Sequence, residues 1–368
     1  MKKIPVANPQ IGEAEAKAAY DVISSGWVSM GQKVREFETK IESFTGAKYA
    51  VAMNNGTSTL QSCLATLGIG PGDEVIIPTL SYISSANVVL YQGATPIFCD
   101  SNVETFNVDV EHIKSKITPR TKAFMTVDLK GLPVDYDAFS RLSAETGIPF
   151  VSDSAESFGA SYKGARVGTQ ALLHSFSFFA NKNITTGEGG VVLTNDKSFA
   201  EKLKIIRNQG QEGRYNHTVL GNNFRMTDVQ AAIGMVQLSK IDRIIGDKKR
   251  IALLYDKMFA EQPGIVTPVK VKYENTPSWY LYSIKVKNEL RDPLVNFLEQ
   301  NGIETRLSFP PIHQQPFYAA RFKINSEQFP GASKAFCEFL DIPIWCDMPV
   351  IQTEIVANKI LSFMKRAG

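Results

Sequence analysis

The chain has 368 residues, of which 43% are hydrophobic and 21% charged, and its formal net charge is +3. This length and composition suit a folded chain of two domains and exclude a disordered or fibrous one. No Lys/Arg run forms the basic stripe a nucleic-acid partner needs, and no window approaches the ~20 apolar residues of a membrane span. The opening MKKIPVANPQIGEAEAKAAY has two lysines but no apolar stretch after them, so a secretory signal is not expected and the cytoplasm is the expected location. The cysteines at 63, 99, 337 and 346 form no C-x-x-C pair, and the histidines at 112, 174, 217 and 313 show no metal spacing. Free thiols and no metal site are expected.

From about residue 47 to 195, short apolar runs alternate with helical patterns. Residues 47–53 (AKYAVAM) read as a strand, 57–67 as a helix, 74–78 (EVIIP) as a buried strand, 81–91 as a helix and 95–99 (TPIFC) as a strand. Further strands follow at 123–127, 149–152 and 175–178. This is the pattern of a mostly parallel sheet with helices on both faces. Residues 228–262 then keep helical periodicity for more than thirty residues. So long a helix is expected to bend, near Gly246. Beyond it, 278–286 and 302–307 read as strands, and 330–340 and 353–364 as helices. The expected architecture is α/β, with a large domain, 1–245, and a smaller C-terminal α+β domain, 246–368.

In open parallel sheets, ligands sit beyond the carboxyl ends of the strands. The first strand is followed by Asn54-Asn55-Gly56-Thr57-Ser58-Thr59. Gly56 permits a tight turn, and Thr57 and Ser58 offer hydroxyls and helix N-terminal amides to a phosphate. A plain Ser/Thr N-cap is the other reading. The stretch is neither a G-x-G-x-x-G nor a P-loop motif. Tyr82 follows the second strand, placed either to stack on a flat ring or to pack under the next helix. Asp153 closes the 149–152 strand, with Glu156 three residues on. A buried acid needs a partner, and a protonated pyridine nitrogen is one; an N-cap is the plainer alternative.

The most informative stretch is SFSFFANKNITTGEGG, residues 175–190, where Lys182 is the sole basic residue. Desolvation lowers the pKa of an amine and lets it form a Schiff base. A phosphate seat, a ring stacker, an acid for a ring nitrogen and an amine are together what pyridoxal 5'-phosphate (PLP) requires.

The same residues carry a family resemblance. SGWVSMGQKVREFE (25–38), NNGTSTL (54–60), the run 68–98, DSAESFGASYKG (153–164), the lysine stretch 175–190, GNNFRMTDVQAAIG (221–234) and GIETRLSFPPIHQQPFY (302–318) occur in order. They resemble the DegT/DnrJ/EryC1/StrS aminotransferases, which act on nucleotide-linked 4-keto sugars. The likeness runs from Ile4 to about Leu361 and implies fold type I of the PLP-dependent transferases. It implies Lys182 as the Schiff-base lysine, Asp153 on the pyridine nitrogen, Glu156 on the phenolic oxygen and Tyr82 against the ring. Gly56, Thr57, Ser58 and Ser177 would hold the phosphate. Asn223 is expected to reach the phosphate of a neighbouring subunit, which implies a homodimer with shared active sites. Arg306 and His313 are expected substrate contacts, and L-glutamate the expected amino donor. NKNITTGEGG resembles the enzymes that aminate C4. The resemblance leans to GDP-4-keto-6-deoxymannose as acceptor, giving GDP-perosamine for O-antigen or other surface glycans, with UDP- and dTDP-linked sugars as the alternative.

Where the family commonly has VHLYG, this chain has Val127-Asp128-Leu129-Lys130-Gly131, so contacts to the sugar or behind it are expected to differ. Trp279 and Tyr280 read either as substrate-pocket aromatics or as ordinary sheet residues. Two other functions compete with amino transfer. Relatives that perform sugar 3-dehydration carry His at the lysine position, which Lys182 disfavours. A PLP-binding regulator without turnover is the remaining reading, and no DNA-binding module or basic arm is visible.

Overall fold

The computed structural model describes residues 3–367. Strands β1 (Tyr49–Met53), β2 (Glu74–Pro78), β3 (Thr95–Cys99), β4 (Thr121–Val127), β5 (Phe150–Asp153), β6 (Leu173–Ser177) and β7 (Gly190–Thr194) make one sheet. Their order is β1-β7-β6-β5-β4-β2-β3. The pairs from β3 through β2, β4 and β5 to β6 are parallel, and β7 is antiparallel to both its neighbours. The strands read as near-continuous apolar runs because both faces are covered. On one face Phe37 and Ile41 of the helix Gln32–Thr45 pack with Phe124, Phe158 and Ile241. On the other, Leu60 and Leu64 of the helix Gly56–Thr66 pack with Val88 and Val89 of the helix Ser84–Tyr91.

A second sheet holds β8 (Ile265–Val266), β9 (Tyr282–Val286), β10 (Arg306–Leu307) and β11 (Phe339–Ile342), ordered β8-β9-β11-β10 and antiparallel throughout. The helix Asp228–Phe259 links the two sheets. It starts in a capping box between Thr227 and Gln230 and runs without a break through Gly246, where the sequence suggests a bend. Its partners change along its length. Ile241, Ile244 and Ile245 enter the core of the large sheet; Ile251, Ala252, Tyr255 and Phe259 enter that of the small one. This change supports our proposed domain limit near residue 245. The N-terminal segment crosses over, since Ile4 bridges to Ile303 and the Ile344 amide donates to the Val6 carbonyl. β9 begins four residues later than the sequence pattern suggests. Trp279 is left-handed, with φ 52°, and extended pairing starts only beyond it.

β1 is an edge strand, and a buried ion pair covers the free backbone groups of Ala52. Glu38 Oε1 accepts from the Ala52 amide at 2.9 Å, and Arg207 Nη1 donates to the Ala52 carbonyl at 2.7 Å. The same nitrogen lies 2.6 Å from Glu38 Oε1. The pair fixes the strand that delivers the Asn54–Ser58 turn. Arg207→Met leaves a buried carboxylate without its cation. It is expected to destabilise the protein by about 3–5 kcal/mol in denaturant titration; a loss below about 1 kcal/mol would show that the pair does not anchor β1.

Candidate active site

The carboxyl ends of β1, β2, β4, β5 and β6 point the same way, and the loops beyond them enclose a cavity of about 480 Å³. The helix Gly56–Thr66 starts there. Asn55 caps it, its Oδ1 accepting from the Ser58 amide at 2.8 Å and the Ser58 hydroxyl at 3.0 Å. The first-turn amides lack acceptors within the helix, so the terminus offers an anion seat. Gly56 is required by close approach, because a Cβ there would lie 2.8 Å from Ser177 Cβ. Thr57, Ser58 and Ser177 all line the cavity.

Tyr82 lines the cavity with an exposed ring, its centroid 5.5 Å from that of Phe309. Asp153 ends β5. Ser85 donates to its Oδ2 at 2.9 Å and the Ala155 amide to its Oδ1 at 3.3 Å. Among the described residues Asp153 has no ion-pair partner within 4 Å, although it is only 5% exposed. Desolvation pushes its pKa up to about 6. Lys182 Nζ lies 3.6 Å from Glu156 Oε1 and 4.3 Å from the centre of the Tyr280 ring. The other Glu156 oxygen accepts from the Lys130 amide at 2.7 Å.

The charge state of Lys182 differs from the sequence expectation. Burial does work against its ammonium, but the electrostatic pull of Tyr280, Glu156 and Asp153 outweighs it, so its pKa stands above the ordinary value. A lowered lysine does occur nearby: burial pushes Lys248 down to about 7. Its ammonium donates to Asn183 Oδ1 at 2.7 Å, behind the lysine loop.

From the C-terminal part of the chain, Tyr280, Arg306 and Phe309 complete the cavity lining. Arg306 Nη1 donates to the Tyr280 hydroxyl at 3.2 Å, which donates to Asn181 Oδ1 at 3.1 Å. The structure thus brings together Gly56, Thr57, Ser58, Tyr82, Asp153, Glu156, Ser177, Lys182 and Arg306. It does not bring His313 to the cavity. That ring is buried against Phe329, and its Nδ1 is 2.6 Å from the Thr79 hydroxyl. Asn223 also lies outside its own chain's cavity, in a bridge with Asn208. Ser85 and Asn181 carry no signal of their own in the sequence, because their partners Asp153 and Tyr280 are distant in the chain. A larger cavity of about 650 Å³ opens beside Trp27, Met30 and Met235, but its Asp228 is committed to the amides of Gly31, Lys33 and Val34.

The site fits PLP on its own chemistry: a buried acid without a counter-ion, an amine in the same cavity, and a phosphate cradle that a Cβ at residue 56 would fill. The acid makes a signed prediction for the cofactor-free protein. A raised carboxyl pKa favours folding below the ordinary value near 3.8, and that contribution is lost as pH rises through about 6. Asp153→Asn should therefore be more stable than the parent in denaturant titration at pH 8, by up to about 3 kcal/mol, and lose this advantage by about pH 4. An equal effect at both pH values would contradict the assignment.

The model of the DegT/DnrJ/EryC1/StrS aminotransferase family matches residues 9–361. GDP-perosamine synthase of Escherichia coli O157:H7 is 41% identical over 352 residues, covering 90% of this chain and 95% of that protein. GDP-perosamine synthase of Caulobacter vibrioides is 39% identical over 325 residues, covering 87% and 88%. Among solved structures, Spr1654 of Streptococcus pneumoniae in its PLP form matches with a TM-score of 0.94 at 28% identity, covering 99% of each chain. With the family model spanning nearly its whole length, the chain belongs to the DegT/DnrJ/EryC1/StrS aminotransferase family.

Proposed function

We propose that this chain is a PLP-dependent aminotransferase that moves the amino group of L-glutamate to C4 of a GDP-linked 4-keto-6-deoxy sugar, forming GDP-perosamine from GDP-4-keto-6-deoxymannose for surface-glycan synthesis. The carrying observation is the largely enclosed Lys182 amine facing Glu156 in the cavity that also holds Asp153, which has no ion-pair partner among the described residues. The likeness to GDP-perosamine synthases over most of the chain supports the acceptor.

When bound, PLP supplies the electron sink that lets a proton leave the carbon bearing the amine. The protein must hold that ring, keep its nitrogen protonated and move the proton. Gly56, Thr57, Ser58 and Ser177 are the residues we assign to the phosphate, and Tyr82 to the ring face. We assign Asp153 to the ring nitrogen, where a cation would relieve its desolvation and its charge would keep that nitrogen protonated, and Glu156 to the phenolic oxygen. Lys182 would hold and move the proton on its Nζ in both halves of the reaction, and Glu156, 3.6 Å away, holds its ammonium when the amine is free. Arg306 presents its cation to an anionic substrate group. We assign no substrate contact to His313. Asn223 is left for the cavity of a second subunit in a cytoplasmic homodimer.

The acceptor is tested by loading the enzyme with amino groups from glutamate and offering GDP-, UDP- and dTDP-linked 4-keto-6-deoxy sugars separately. Mass spectrometry should show the GDP sugar converted to its amine at least about tenfold faster than the others. Faster conversion of a UDP or dTDP sugar would keep the chemistry and overturn the nucleotide assignment.

A further inference from the structure

Asp128 and Lys130, the two charged residues that depart from the family pattern, both lie in the interior. Asp128 serves packing. It accepts from the Tyr136 hydroxyl at 2.5 Å, the Ser157 hydroxyl at 2.6 Å and the Val134 amide at 3.0 Å, and it does not line the active-site cavity. Lys130 is held at both ends. Its ammonium lies 2.9 and 2.8 Å from the two carboxylate oxygens of Asp341, in β11 of the smaller domain. Its backbone is left-handed, with φ 61°, and in that conformation its amide donates to Glu156 Oε2 at 2.7 Å. The other oxygen of Glu156 faces Lys182. Ser278 holds the Glu156 main-chain carbonyl at 2.6 Å, which leaves the Lys130 amide to orient the carboxylate.

A left-handed backbone costs a branched or long residue about 1–2 kcal/mol, so a turn of this kind needs something to hold it. A buried ion pair contributes little net stability, because desolvation offsets the attraction, but it fixes geometry sharply. Asp341 is also the ladder partner of Arg306, the cation of the substrate cavity. The pair therefore runs from the strand beside Arg306 to the carboxylate beside Lys182.

We propose that Lys130 is a positioning residue, whose ion pair with Asp341 pins the 129–131 turn so that its amide keeps Glu156 turned toward Lys182. The proposal rests on Lys182 being the reactive amine of the aminotransferase. Its test needs no turnover, so the two readings fail separately.

The full-length protein, freed of PLP, is labelled with acetic anhydride across a pH series, and acetylation of Lys182 is read by mass spectrometry. Glu156→Gln sets the benchmark. Removing a carboxylate beside an ammonium makes the amine more reactive, by about threefold at pH 8 if the pKa of the amine falls by about 0.5. The double variant Lys130→Met with Asp341→Asn removes both charges without stranding one. It is expected to raise Lys182 labelling by a similar factor, and adding Glu156→Gln to it should add nothing. Lys130→Gly with Asp341→Asn keeps the amide and enters the left-handed region freely, so its profile should lie closer to the parent. A Met variant with a lower melting temperature but an unchanged Lys182 profile would overturn the proposal. So would a Gly variant altered as far as the Met variant.

Discussion

The carboxylate of Asp153 sits in the interior with one hydroxyl and one amide as partners and, among the described residues, no cation within ion-pair distance, and the rest of the site is arranged around that imbalance. A buried charge is tolerated only when something compensates it. Lys182 contributes at longer range, but its ammonium is held by Glu156 and the face of Tyr280. The interior is therefore short of one positive charge beside Asp153, and we propose that a protonated ring nitrogen would supply it. Family membership and local electrostatics reach the same cofactor by independent routes.

The parallel sheet was legible because buried parallel strands are short apolar runs with chemistry at their carboxyl ends. β2 and β3 fall where the sequence pattern puts them, and Asp153 and Lys182 stand out as charges in apolar surroundings. Other features depend on contacts that no local pattern encodes. β7 follows a glycine-rich turn and runs against its neighbours, so the alternation of strand and helix does not announce it. Tyr280, which meets Lys182, lies between left-handed Trp279 and the start of β9. His313 lies in a stretch typical of the family, yet its ring turns inward to Thr79 and Phe329. The raised Lys182 pKa has the same origin: burial is visible in the sequence, but the carboxylates around the amine are not.

Three parts of the chain meet at Lys182. The large sheet brings Asp153 and Glu156, the small domain brings Tyr280 and Arg306, and the long helix places Lys248 behind Asn183. That helix runs without a break and contributes side chains to both cores. The Lys130–Asp341 pair adds a second tie nearer the chemistry. Both charges of the VDLKG run thus act within the protein rather than at the cavity wall.

The central claim, that Lys182 is the amine that holds PLP, is tested most directly by reducing the PLP-loaded protein with borohydride and mapping the modified peptide by mass spectrometry. The account predicts one phosphopyridoxyl group per chain, on Lys182, and none after Lys182→Ala. Stable modification at Lys248 or at a surface lysine, with Lys182 left free, would contradict it.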